Sequence, residues 1–564
     1  MSAYKQKQIG MYARPPHEPG NIEHPTPNAE HRRIFPLYPE APHPGPLLVW
    51  RGEGETRSRF WKFDYQGLNS ALLSKHRSKL VLGFCVVFAL IAGCSVGPDY
   101  RRPTALKTET VPEAFSVATG TNNFGEWKAA EPAAGLPRGA WWEIFEDAEL
   151  SRLETIAASG NQNLAAAAAR LEQSRADLGI AKSDFYPQIS AEPEVTRQRL
   201  SPNAPLQKGT HTYNNFVAPL NMNWELDLWG RVRRQVESAR ANFVASADDL
   251  ESARLALQAE VALDYFSLRE LDQERRVVAE SIETFRRSLE LTQNRRKGGI
   301  VSDLDVSQAE TQLRGTEAEL PAIDLERARV LHALATLCGQ SAISFQLATQ
   351  PLRNGIPGVP ARVPSELLER RPDIAAAERR MASANAQVGV AKSAFYPRVF
   401  LTGAAGFQSI SADNLFDWPS RVWSLGPSVT LPIFTGGRNR SQWQGARAGY
   451  DEAVANYRQT VLTAFQEVED QLAAQKLLAN QIEAQQAALA AARHTLEIAN
   501  NRYKAGVVTY LEVATAQSAA LTNERSFIEL EGQRLNAEVS LIKALGGDWQ
   551  GNQIKDGVTQ VSGK

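Results

Sequence analysis

Apolar residues along this chain follow two rhythms in turn, and the whole series runs twice. From about 151 to 183, alanine and leucine recur at helical spacing until Phe185-Tyr186-Pro187, where proline disfavours helix in the residue before it. Residues 188–228 are rich in Val, Thr, Phe, Gly and Asn and partly alternate through Val217, Leu220, Met222, Trp224, Leu226 and Leu228. That length suits two strands joined by a polar loop that includes Ser201-Pro202-Asn203. No proline occurs between Leu220 and Leu320, and Arg231 to Lys297 reads as one helix, roughly 100 Å long at about 1.5 Å per residue. Gly298-Gly299 breaks it, and a return helix is expected from Asp303 to about Cys338.

The second series begins with an Ala-rich helix over about 365–393 that stops at Phe395-Tyr396-Pro397. A strand-rich stretch, 398–434, carries Val422, Leu425, Val429, Leu431 and Ile433. A second long helix starts after Gly437, breaks at Ala505-Gly506 and returns from Thr509 to about Leu545. Local motifs repeat with it. Ala181-Lys182-Ser183-Asp184-Phe185-Tyr186-Pro187 matches Ala391-Lys392-Ser393-Ala394-Phe395-Tyr396-Pro397, Asn294 to Val301 matches Asn501 to Val508, and Leu304-Asp305-Val306 matches Leu511-Glu512-Val513. A constant offset of roughly 207–210 residues is the mark of a tandem duplication. Repeat 1 spans 151–345, with a β-hairpin at 188–228 and a helical hairpin at 231–338. Repeat 2 spans 346–548, with the matching hairpins at 398–434 and 438–545.

Such long helices, dilute in large apolar residues and rich in Ala, Gln, Glu and Arg, pack closely without building a thick core. A solid coiled coil is one reading, but it leaves the strand-rich inserts without a role. Four strands per chain cannot close a membrane barrel, for which about eight is the smallest workable set. An open edge in lipid would leave backbone groups unsatisfied. Closure therefore demands several copies: two would supply eight strands and three would supply twelve. The fold class expected is an α+β membrane protein, mostly long helices with a four-strand contribution per chain.

Ahead of the repeats, residues 1–70 form a proline-rich stretch without periodicity, read as a mis-called start or a disordered extension. Residues 71–93 have the order of a signal peptide: basic Lys75, Arg77 and Lys79, then the apolar core Leu80 to Leu90. The core is too short to span a membrane as a helix. It ends in Ile91-Ala92-Gly93-Cys94, which resembles the bacterial lipobox and implies acylation of Cys94, with Ser95 directing the lipoprotein to the outer membrane. Residues 94–150 would be a lipid-anchored segment and 549–564 a tail.

Composition removes other classes. A net charge of −1 gives no basic stripe for nucleic acid, and three cysteines make no disulfide framework. The eight histidines are scattered, none in a His-Glu-x-x-His pair, and no nucleophile arrangement or P-loop is present, so neither an enzyme nor a resident cofactor or metal is expected. Cys338 reads as a small buried hydrophobe.

Four segments together resemble the TolC-like outer membrane factors, in particular the NodT-type lipoprotein subgroup: Cys94 to Tyr100 with Pro103; Trp141-Trp142 with Phe145, Asp147 and Leu150; Trp224 to Arg231; and Pro364 to Ile374. The resemblance covers about residues 94–548. It implies a homotrimer with a twelve-stranded outer-membrane β-barrel and a periplasmic α-barrel. Such a trimer acts as the passive exit duct of a tripartite efflux pump, served by a periplasmic membrane-fusion adaptor and an inner-membrane RND transporter. A type I protein secretion duct and a periplasm-spanning structural lipoprotein are the alternatives. The resemblance further implies adaptor docking at Gly299-Ile300-Val301 and Gly506-Val507-Val508. It implies a periplasmic gate at Asp305, Tyr503, Leu511 and Glu512, with Thr515 standing where relatives often carry a second aspartate.

Overall fold

The computed structural model describes residues 95–105, 139–201, 212–352 and 370–547, all within one unit of the chain, His76–Lys564. The expected extension (1–70) and signal peptide (71–93), Cys94, the expected 549–564 tail and most of the loop after Ser201 lie outside the described residues.

A 3-10 turn, Trp141–Phe145, leads into α1 (Ala148–Gly160) and α2 (Gln162–Ser183). A single helix is predicted here from about 151; instead the helix starts earlier and breaks at Asn161. Asp147 caps α1 by accepting from the amides of Glu149 (2.9 Å) and Leu150 (3.1 Å), and Asn161 caps α2 by accepting from Leu164 N (2.9 Å). The break is imposed from afar. A Cβ on Gly160 would stand 2.5 Å from the Cys338 carbonyl oxygen, and Asn161 Nδ2 donates to the Leu337 carbonyl at 2.9 Å.

The strands are β1 (Gln188–Ala191), β2 (Glu194–Arg199), β3 (Thr212–Leu226), β4 (Arg398–Ser409) and β5 (Arg421–Thr430). Two strands are predicted for each insert, but the outer strand of the first is split at Glu192-Pro193, since proline has no N–H for the ladder. Both pieces pair antiparallel with β3, β3 pairs with β4 and β4 with β5. The sheet thus has four positions across, and its central pair joins the two repeats.

The remaining helices are α3 (Arg231–Lys297), α4 (Asp303–Leu337), α5 (Pro372–Ser393), α6 (Arg438–Lys504) and α7 (Tyr510–Ala544). Predicted ends of the long and return helices hold to within a residue or so, because glycine sets them. At each tip Gly299 (φ +71°) or Gly506 (φ +75°) takes the left-handed conformation. Ile300 N then bonds Arg295 O, and Val507 N bonds Arg502 O, closing Schellman motifs. Near the sheet, α2, α3, α5 and α6 lie side by side; toward the tips the row is α4, α3, α7, α6. The end of α4 abuts the start of α2 at Gly339 and Gly160, and the end of α7 abuts the start of α5 at Gly546 and Arg370. Four columns result, with α3 and α6 each continuous.

Where the columns are joined, Trp141, Leu150, Leu153, Tyr265, Leu268 and Leu334 form the largest apolar core. Cys338 is buried beside it, and burial pushes its thiol up to about 11, the unreactive form. Asp272, fully buried, accepts from Arg269 Nη1 (2.9 Å), Arg327 Nε (2.6 Å) and Gln350 N (3.1 Å), pinning the segment after α4 onto α3 and α4.

Candidate functional site

Register settles what the sheet faces. Leu220, Met222, Trp224 and Leu226 of β3 stand opposite Ala405, Gly403, Leu401 and Val399 of β4. These in turn stand opposite Trp423, Leu425, Pro427 and Val429 of β5. Side chains alternate along a strand, so all of these share one face, with Ile189 of β1 and Val195 of β2. The other face carries Asn221, Asn223, Glu225, Arg398, Thr402, Ser424 and Ser428. Among the described residues no helix is stacked on the apolar face, where Leu220 is 55%, Trp423 81% and Leu425 64% exposed. A soluble antiparallel sheet buries its apolar face; this one offers it outward, as strands facing lipid do. Among the described residues no helix is long and apolar enough to cross a membrane.

At the opposite end, the two helical hairpins meet through a knot of side chains. Tyr503, 4% exposed, shares a hydrogen bond with the Thr292 hydroxyl at 3.1 Å. Arg295 Nη1 donates to the Tyr503 carbonyl at 2.6 Å, and its guanidinium lies 4.7 Å from the ring centre. The Tyr510 ring meets Tyr503 edge-on, and its hydroxyl donates to Gln517 at 3.2 Å, whose amide reaches Ser288 Oγ on α3 at 3.1 Å. On the other side of the knot Asp305 accepts from Ser302 N (3.0 Å), Ser302 Oγ (2.7 Å) and Tyr510 N (3.2 Å). It therefore caps α4 and ties α4 to the start of α7. Partial burial works against ionisation of Asp305, yet the Ser302 and Tyr510 donors prevail and hold its carboxyl below the usual range.

The other predicted tip residues separate into two sets. Ile300 and Val507 are each 66% exposed, whereas Val301 and Val508 turn inward against Tyr503, Tyr510 and Val513. Leu511 is exposed, and Glu512 sits 3.8 Å from Arg502 in a solvated ion pair. Leu304 is also 66% exposed and Leu511 55%, so each tip leaves two large apolar side chains open to solvent. The repeat itself signals Leu304, since Leu304-Asp305-Val306 matches Leu511-Glu512-Val513. Arg295, Thr292 and Gln517 had no such signal, because their partners are on the other hairpin.

Residues 95–105 form a strap across three helices. Val96 N donates to Trp229 O (2.9 Å), Arg234 to Asp99 (2.8 Å), Asn385 Nδ2 to Pro98 O (3.0 Å), Tyr100 OH to Glu378 (2.6 Å) and Arg102 Nη2 to Tyr457 OH (3.0 Å). Gly97 (φ +122°) lets the strap pass Gly389, and Ser95 packs on Gly230 where β3 gives way to α3. The strap therefore starts at the base of the sheet.

A family model described as outer membrane efflux protein matches residues 155–340 and again 363–547, once per repeat. Outer membrane protein OprJ of Pseudomonas aeruginosa is 34% identical over 472 residues, covering 82% of this chain and 95% of OprJ. The probable outer membrane lipoprotein SilC of Salmonella typhimurium is 30% identical over 478 residues, covering 83% of this chain and 98% of SilC. Among solved structures, the outer-membrane channel OprN superposes with a TM-score of 0.74 at 30% identity, over 81% of this chain and 100% of that one. An outward apolar sheet at one end, hairpins tied tip to tip at the other and a family match to each repeat agree: this chain belongs to the outer membrane efflux protein family and serves efflux from the outer membrane.

Proposed function

We propose that three copies of this chain assemble into the passive exit duct of a tripartite pump, their sheets closing a twelve-stranded barrel and their helical columns a periplasmic tube. The observation that carries this is the pair of open borders on one protomer. The sheet ends at β1/β2 and at β5, and the helical row ends at α2/α4 and at α6. In lipid each unpaired strand edge would cost several kcal/mol per orphaned backbone group. A neighbouring copy removes both borders at once. Ile300, Leu304, Val507 and Leu511 then form an apolar tip for a membrane-fusion adaptor, behind which an RND-type transporter loads substrate. Tyr503 and Asp305 hold the tip, while Leu511 and Glu512 border the opening. Acyl chains on Cys94 anchor the strap at the base of the sheet.

Native mass spectrometry of the purified lipoprotein should give a trimer, and planar bilayers should show conductance. A variant lacking 188–228 and 398–434 should lose both membrane insertion and conductance. A purified, delipidated chain that stays monomeric and water-soluble would overturn the assignment.

A further inference from the structure

The two helical hairpins touch chiefly along the seam of α3 and α7, and one side chain in that seam has no partner. Glu270 of α3 reaches toward α7 and lies over Gly532 so closely that a Cβ there would collide with its carboxylate. Among the described residues it makes no hydrogen bond or ion pair. It borders a cleft of about 340 Å³ lined by Glu274, Thr522, Arg525, Ser526, Ile528 and Glu529. Every other charge there is engaged. Arg525 is held by Glu274 (2.5 Å) and by Glu319 of α4 (2.8 Å), and Glu529 accepts from Gln533 at 3.1 Å. Arg269, the preceding residue, is turned away to Asp272. Glu270 thus faces two carboxylates, one from each helix, and Arg525, the cation among the described residues lining the cleft, is already paired.

We infer that Glu270 is a proton-set latch between the hairpins: protonated, it seats on Gly532 and lets α7 close on α3; ionised beside Glu274 and Glu529, it pushes the seam apart. The step is a single proton exchanged with solvent, Glu-COOH to Glu-COO⁻. Burial, then the charges of Glu529 and Glu274, raise the carboxyl to about 7 in the packed seam. In an opened seam it would titrate near its ordinary value. The packed form therefore holds an extra proton between those values. Its advantage is complete below about pH 4.5, is lost as pH rises toward about 7, and is gone above that. Gln273 and Asn536 carry buried amide oxygens without partners close by on the same two helices. The latch belongs to the protomer and does not depend on how many copies assemble.

Hydrogen exchange of the full-length protein tests it, following peptides across 525–535 with rates normalised for the intrinsic pH effect. Wild type should lose protection by at least about tenfold between pH 5 and 7 and then level off, as one linked proton requires. Glu270→Gln, isosteric and never charged, should stay protected across that range with unchanged helicity. Glu274→Gln removes one repelling charge, so the loss should be smaller and end at lower pH. A flat wild-type profile, or an unchanged slope in Glu270→Gln, would overturn the latch.

Discussion

Helices α3 and α6 are the same element made twice, yet they live in different surroundings. Each has 67 residues, follows a glycine with positive φ (Gly230 or Gly437) and ends at a glycine tip. Nonetheless α3 buries 20 residues and α6 only seven. Position in the row explains it: α3 has neighbours on both sides, α6 on one. Buried charges follow the same division. Arg234, Asp248, Arg269 and Asp272 are buried on α3, whereas the buried set on α6 has no charged member, and it leaves Leu462 and Leu477 exposed. Duplication copied the helix; the tertiary environment divided the copies into a centre and a border.

The largest loss of stability is expected at the centre. Asp272→Ala would strand Arg269 and Arg327 without their carboxylate, and removing one partner of a buried ion cluster costs about 3–5 kcal/mol. A large drop in the urea midpoint is expected, whereas a loss below about 1 kcal/mol would show that the centre is not held this way.

At the border the expected damage is to assembly. Leu462→Asp with Leu477→Asp should leave the protomer's helicity intact and abolish the oligomer in light scattering, since each leucine covered by a neighbour contributes about 1.5–3 kcal/mol. Retained assembly would mean that this face of α6 stays uncovered.

A smaller effect is expected at the tip. Asp305→Asn should weaken the α4 cap by about 1 kcal/mol. Acid should do the same in wild type. Because the folded carboxyl lies below its ordinary value, its contribution is complete above about pH 4 and is lost as pH falls further. Limited proteolysis at 300–303 should then rise in acid for wild type, with little pH effect in Asp305→Asn.

The smallest change compares the two turns directly. Ala505 already occupies in repeat 2 the place of Gly298, whose φ of −80° any residue adopts. Gly298→Ala should therefore stabilise by about 0.5 kcal/mol, while Gly299→Ala, at φ +71°, should cost about 1 kcal/mol. Thermal melts that rank these two the other way would contradict the turn geometry.

Much of the architecture was legible in advance because its causes are local. Glycines at 230, 298, 299, 437 and 506 and the Phe-Tyr-Pro stops mark helix ends through backbone conformation alone, and alternation through Leu220 to Leu226 marks a one-sided sheet. The candidate site was legible in part. Ile300 and Val507 were picked out with Val301 and Val508, but composition cannot tell which of two adjacent valine-like side chains points inward. Arg295 and Gln517 were invisible, since nothing near them in the chain reveals Tyr503 or Ser288.

Sequence by itself determined the duplication, the element order and the lengths of the long helices, all carried by contacts within a few residues. Only the tertiary structure decided the break at Asn161, which exists because Cys338 docks there. It also decided the inward turn of Val301 and Val508, and the contrast between α3 and α6. Those outcomes depend on groups that meet across hundreds of residues, where shape and hydrogen-bond geometry rather than residue pattern choose the partner.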